Sequence, residues 1–127
     1  MDLKYIAAES LILRGGGVSE LLGEYRHKMD AMKASIAESV LLINATNVGM
    51  GDLEGISVVP AELLVEGLVV ADVIYVPRKT ELLEDAEAKG LKTINGLGML
   101  LWQAAIAEDI WVGKEMPTEL VQEKFFD

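Results

Sequence analysis

The sequence predicts an α/β fold, a three-layer sandwich around a parallel sheet of about four strands. Two observations predict it. Short runs of Leu, Val and Ile alternate with longer stretches whose apolar residues recur at three- and four-residue steps, and strands alternating with helices imply parallel pairing through right-handed crossovers. Apolar residues make up 51% of the 127, with only 6% aromatic, so the apolar content is mostly aliphatic. That suits strands buried on both faces beneath covering helices.

The elements follow in order. Residues 10–14, SLILR, read as a first buried strand, and three glycines follow. Residues 18–37 read as a helix, with Leu21, Leu22, Tyr25, Met29, Met32 and Ile36 on one side and Glu24–Lys28 as a favourable i,i+4 pair. Residues 39–45, SVLLINA, are the second strand, and TNVGMGDLEGIS is a loop. Pro60 suits the first position of a short helix over 61–66, which Gly67 stops. Residues 68–73, LVVADV, are the third strand, after which VPRK turns the chain. A helix over 80–89 has Thr80 as N-cap and Gly90 as its stop. LKTI is a short fourth strand; Asn95-Gly96 open a helix through Ile110, and Pro117-Thr118 open a last one. No repeat, low-complexity segment or linker divides the chain, so residues 1–127 are expected to form one domain.

Composition excludes several functions. A net charge of −10 repels phosphate backbones and anionic membranes. Without cysteine there are no disulfides and no thiolate chemistry, and a cytoplasmic location is expected. MDLKYIAAES lacks the pattern of a signal peptide, and LLVEGLVVADVIYV is too short and too charged, at Glu66 and Asp72, to span a bilayer. The single histidine, His27, has no partners at metal-ligand spacing, so no metal is expected, and no Ser-His-Asp or Cys-His set exists.

Ligands of open parallel sheets bind beyond the carboxyl ends of the strands. Four segments leave those ends: RGGGVS, NATNVGMGD, YVPRKT and NGLGM. In the first, Gly15 and Gly17 fit the first two glycines of G-x-G-x-x-G while Glu20 stands at the third, so the loop is either a pyrophosphate cradle or a flexible turn. Asn44 can bond neighbouring backbone, Ala45 is small enough for close approach by a ligand, and Gly49 and Gly51 let the loop fold back; a surface turn has the same composition. Tyr75 is a packed tyrosine or a ligand contact, and Gln103 a surface residue or one reaching into a cleft.

Taken as an ordered series, LLINATNVGM, VVADVIYVPRKTELLEDAEAKG and KTINGLGMLLWQAAIAEDIWVGKEMP resemble the C-terminal, NADP-binding domain of shikimate dehydrogenases, over about residues 40–120. That family reduces 3-dehydroshikimate with NADPH, reversibly. The resemblance implies a shortened Rossmann-like fold. It implies that Gly15, Gly16 and Gly17 correspond to the cofactor's glycine loop. Asn44, Ala45 and Thr46 would line the ribose and nicotinamide side, and Gly96 and Met99 would frame the nicotinamide. Tyr75 and Gln103 match positions that hydrogen-bond the substrate's hydroxyl and carboxylate groups.

The departures lie at the N-terminal end. Aligned on Val18-Ser19, Gly16 and Gly17 are kept, whereas Arg14 replaces the first glycine and Glu20 the usual basic residue. Two strands of the family, one bearing the Asn-Arg-Thr motif for the 2′-phosphate, have no counterpart, so residues 1–38 are atypical. Residues 1–127 contain no counterpart of the family's substrate domain with its Lys–Asp proton-transfer pair, so the chain alone is expected to be inactive. Removing two strands would expose an apolar sheet edge, and Val121, Phe125 and Phe126 form an apolar tail, so a homodimer or partner chain is expected. Three functions fit: such an oxidoreductase domain taking a shikimate-like molecule and NADP, a degenerate nucleotide-binding or regulatory module, or a structural interaction protein on the same scaffold.

Overall fold

Strand LLIN pairs with strand VVAD, and VVAD with KTI, all in parallel. The computed structural model describes residues 18–126, with side chains from residue 26 on. Its elements are α1 (Val18–Ala37), β1 (Leu41–Asn44), β2 (Val69–Asp72), α2 (Glu81–Ala88), β3 (Lys92–Ile94), α3 (Leu97–Val112) and α4 (Thr118–Phe125). The sheet order is β1-β2-β3, with Leu42 opposite Val70 and Val70 opposite Thr93. The expected first strand, residues 10–14, and Gly15, Gly16 and Gly17 lie outside the described residues, as do the side chains of Leu21, Leu22, Glu24 and Tyr25.

Strand alternation sorts the side chains by face. Leu42 and Val70 point to one face, where they meet Ile36 of α1, Leu82, Leu83 and Ala86 of α2, and Val59, Leu63, Leu64 and Leu68 of the segment before β2. Met29 and Met32 of α1 pack against this core, as their spacing from Ile36 predicts. Leu82 is 1% exposed, so its burial contributes about 1.5–3 kcal/mol. The opposite face is half open: Ile43 keeps 44% and Ile94 50% of its surface. Burial of the strands on both faces therefore holds for one face of the described sheet, because α1, α2 and the segment before β2 all bury their apolar side chains on the same side.

Local signals place most boundaries. Gly67 and Gly90 have φ of 84° and 73°, and the Gly90 N–H donates to the Glu87 carbonyl at 2.8 Å, closing α2. The Ser39 hydroxyl donates to the Ser35 carbonyl at 2.7 Å at the end of α1. The expected helix over 61–66 is a single 3-10 turn, Ala61–Leu63, with Pro60 at its N-cap rather than its first position. Leu63 and Leu64 both enter the core, Leu64 takes extended backbone, and a turn at Glu66-Gly67 then leads into β2. A second 3-10 turn, Gly51–Leu53, interrupts the loop after β1.

α3 departs from the amphipathic pattern. Leu101 is buried, while Met99, Trp102, Ile106, Ile110, Trp111 and Val112 are all at least half exposed. A helix apolar on every side is normally covered. No helix among the described residues is long and apolar enough to cross a membrane.

Candidate functional site

β1 and β2 each end on a polar residue facing inward. Asn44 and Asp72 are register partners at the carboxyl end of the sheet, and both are 3% exposed. Each lies two residues beyond a core residue, Leu42 and Val70, so strand period alone turns them toward the core face. Buried polar groups need partners, and these have them. Asn44 Nδ2 donates to Asp72 Oδ2 at 3.1 Å, to Asp72 Oδ1 at 3.2 Å and to the Val48 carbonyl at 2.9 Å. Asp72 also accepts from the Ile74 N–H at 3.0 Å and from the Thr80 hydroxyl at 2.8 Å.

The loop after β1 is built on Asn44. Its Oδ1 accepts from the Thr46 N–H at 3.0 Å and the Thr46 hydroxyl at 2.7 Å, and Thr46 Oγ1 accepts from the Val48 N–H at 3.1 Å. This is the local side-chain-to-backbone bonding that ends a strand in an Asx turn. Gly49, at φ 110°, then folds the loop over Thr80. Asn44 and Thr46 therefore shape the loop after β1 from inside, while Ala45 stays exposed on its outer surface.

The loop after β2 carries Tyr75, 41% exposed, and the cis Val76–Pro77 peptide. Thr80 sits at the N-cap position of α2, but its hydroxyl does not cap that helix. It donates to Asp72 instead, and Thr80 is 1% exposed. The local capping rule loses here to a buried carboxylate, whose hydrogen bonds are the stronger kind. Downstream, the Asn95 side chain accepts from the Leu97 N–H at 3.2 Å and donates to the Arg78 carbonyl at 3.3 Å. The Arg78 guanidinium reaches α4, donating to the Phe126 carbonyl at 2.6 Å.

The loop after β3 closes the cluster. The Gly96 N–H donates to the Ile74 carbonyl at 2.9 Å, and no side chain fits at Gly96 because the Val73 carbonyl occupies the place of a Cβ. Gly96 thus acts through packing, holding the start of α3 against the β2 loop. A Cβ at Gly98 meets nothing within 4 Å, and Met99 is 50% exposed, so the first turn of α3 is open and lightly apolar. Gln103 lies exposed one turn further along α3. The loops after all three strands thus share one end of the sheet. Asn44, Thr46 and Gly96 form its internal frame; Ala45, Tyr75, Met99 and Gln103 are exposed.

From sequence alone, Asp72 is only a charge interrupting an apolar run. Its signal is the period of VVAD, which puts the acid on the same face as Val70. Beside the site, the exposed Lys79 ammonium donates to Glu87 at 2.7 Å. The Glu87 carboxyl is held below its usual range by Lys79 and then by Thr93, and the Lys79 amine is raised by Glu87. Among the described residues, no group of three or more His, Cys, Asp or Glu could hold a metal ion. A depression of about 430 Å³ between α3 and α4, lined by Glu115 to Leu120, contains none of the residues above.

Known proteins resemble this chain in sequence and in fold. Residues 96–124 match the family described as the shikimate 5′-dehydrogenase C-terminal domain. The chain is 50% identical over 98 residues to the shikimate dehydrogenase (NADP(+)) of Listeria monocytogenes serotype 4b (strain F2365), covering 76% of this chain and 34% of that enzyme. A crystal structure of the Listeria monocytogenes enzyme in complex with shikimate and NAD superposes with a TM-score of 0.71 and 49% identity, over 76% of this chain and 34% of that one. The Thermus thermophilus enzyme, in complex with NADP(H) and shikimate, gives a TM-score of 0.65 and 39% identity, over 72% of this chain and 34% of that one. The chain spans about a third of the length of the curated relatives it matches. In sequence and in its Rossmann-like α/β fold, it is similar to their C-terminal domain.

Proposed function

We propose that this chain is a nicotinamide-cofactor-binding domain of the shikimate dehydrogenase type, serving hydride transfer between NADP(H) and the 3-dehydroshikimate/shikimate pair. Residues 1–127 form one domain in this reading, with 39–120 as its dehydrogenase-like part. The observation that carries it is the convergence of the loops after β1, β2 and β3 at the carboxyl end of a parallel sheet, where such folds take their ligands. These are the segments whose order along the chain matches the dehydrogenases.

The residues present fit the nicotinamide end of the cofactor. The open first turn of α3 leaves room over Gly98, Met99 offers an apolar surface, and Ala45 permits close approach from the facing loop. Asn44 and Thr46 keep that loop in shape, and Gly96 fixes the start of α3. The cofactor would supply the hydride. Tyr75 and Gln103 would orient the substrate through its hydroxyl and carboxylate, since both side chains can hydrogen-bond and both residues are exposed, Tyr75 in the loop after β2 and Gln103 in the second turn of α3. The proton donor is expected from a substrate domain, in the same polypeptide or in a partner chain. We place the protein in the cytoplasm and expect a homodimer or partner chain to cover α3.

A second reading is a binding or regulatory module on the same scaffold that does not itself catalyse. One experiment addresses both. NADP+ reduction is followed with shikimate for this chain alone and mixed with the isolated substrate domain of the Listeria relative. Reduction only in the mixture supports the dehydrogenase reading; cofactor binding without reduction in either supports the module.

A further inference from the structure

The buried network at the strand ends reads in one direction only. The Thr46 N–H can donate but not accept, so Asn44 must turn Oδ1 toward it. That leaves Asn44 Nδ2 facing the Val48 carbonyl and the Asp72 carboxylate, which accept. Rotating the amide by half a turn would set donor against donor at Thr46 and acceptor against acceptor at Val48. The acceptor that holds Asn44 this way is Asp72, and the same carboxylate receives the Thr80 hydroxyl and the Ile74 N–H. The far arm of the loop also rests on Thr80: an added Cβ at Gly49 would lie 3.1 Å from Thr80 Cγ2.

We propose that Asp72 is a positioning residue that locks loop 44–49 and loop 73–80 to each other, so that the face bearing Ala45 and the segment bearing Tyr75 are set as one unit. What the two loops bind rests on the function proposed above; the lock between them does not. Asp72→Asn is the direct variant. Its amide keeps one acceptor oxygen and puts an N–H₂ where the other stood; because both carboxylate oxygens accept from Asn44 Nδ2, that N–H₂ faces a donor in either orientation of residue 72. The reciprocal variant, Asp72→Asn with Asn44→Asp, restores a donor facing an acceptor and keeps an oxygen toward Thr46. It leaves the Val48 carbonyl facing a carboxylate oxygen.

The test combines amide exchange in the folded state with NADPH titration. For Asp72→Asn, the Thr46 and Val48 amides lose protection by about tenfold or more, as expected when a hydrogen bond to a charged group goes. Protection of Val70 and Leu83 in the core changes far less, and NADPH affinity falls. The reciprocal variant returns protection to Thr46. Unchanged loop protection in Asp72→Asn, or equal loss in the single and reciprocal variants, overturns the proposal. Thr80→Val and Thr80→Ser cover the case in which Asp72→Asn does not fold. The valine keeps a methyl toward Gly49 and loses the donor to Asp72, whereas the serine keeps the donor. Loop 73–80 should open in the valine variant and not in the serine variant, and identical behaviour contradicts the lock. Wild-type protein that shows no NADPH saturation defeats the cofactor reading, while the exchange data still decide the role of Asp72.

Discussion

Gly96 lies so close beneath the Val73 carbonyl that a Cβ there would overlap it and come within 2.8 Å of the Ile74 carbonyl carbon. The obstacle is backbone, which cannot rotate away as a side chain would. The contact joins the loop after β2 to the first turn of α3. Gly96→Ala must therefore push these two segments apart and weaken the Gly96 N–H to Ile74 bond. A destabilisation of about 1–3 kcal/mol is expected, as for overpacking elsewhere. Urea unfolding would show it as a lower midpoint with an unchanged slope.

Two other glycines should respond in opposite directions. Gly49 has φ 110° and faces Thr80, so Gly49→Ala costs about 1–3 kcal/mol through backbone strain and crowding. Gly98 is in α3 with nothing near its missing Cβ, so Gly98→Ala should stabilise by about 0.4–1 kcal/mol. Thermal midpoints of the two variants measured side by side check the contrast. The Gly98 variant should also bind NADPH less well if the space above it receives the nicotinamide.

The strands and α2 were legible because their signals are local. LLIN and VVAD lie in short aliphatic runs, KTI follows the glycine stop at Gly90, and ELLEDAEA is an amphipathic helix closed by that glycine. Asn44 was legible for the same reason, since its partner Thr46 is two residues away. The role of Asp72 was not legible, because its side-chain partners Asn44 and Thr80 sit 28 residues before it and 8 after it, and only the fold brings them together. Thr80 shows the limit of a local rule: it occupies the N-cap position, yet a long-range acceptor takes its hydroxyl. The 3-10 turn at Ala61–Leu63 escaped because burial of Leu63 and Leu64 outweighs helix propensity there.

The Lys79–Glu87 pair gives a prediction in pH. Glu87 is held below its usual range by Lys79 first and Thr93 second. A depressed carboxyl contributes stability above its unfolded pKa, ~4.3, and loses that contribution as pH falls through its folded value. Lys79, raised by Glu87, contributes below its unfolded pKa, ~10.4, and loses that as pH rises through its folded value. Both side chains are well exposed, so the effect on stability is small and screened by salt. Lys79→Met should move the Glu87 carboxyl resonance to titrate at higher pH, with the Thr93 hydrogen bond retaining part of the depression.

The exposed side of α3 predicts a state-dependent tryptophan signal. Trp102 is 60% and Trp111 82% exposed, so both should emit at long wavelength and be quenched by iodide. If a second copy or partner chain covers α3, raising the concentration or adding the partner should shift the emission to the blue and protect it. Ile110→Gln should then weaken association in sedimentation while leaving the melting midpoint of the lone chain nearly unchanged, because Ile110 is 73% exposed.

The central claim is that the strand-end loops receive a nicotinamide cofactor. Trp102 lies one helical turn beyond Gly98 and Met99, which makes its fluorescence a reporter at the site. NADPH titration followed through Trp102, with Trp111→Phe to remove the second signal, tests the claim most directly. A saturable change, weakened in the Gly98→Ala variant, is the predicted result. No saturable change up to millimolar NADPH would contradict it.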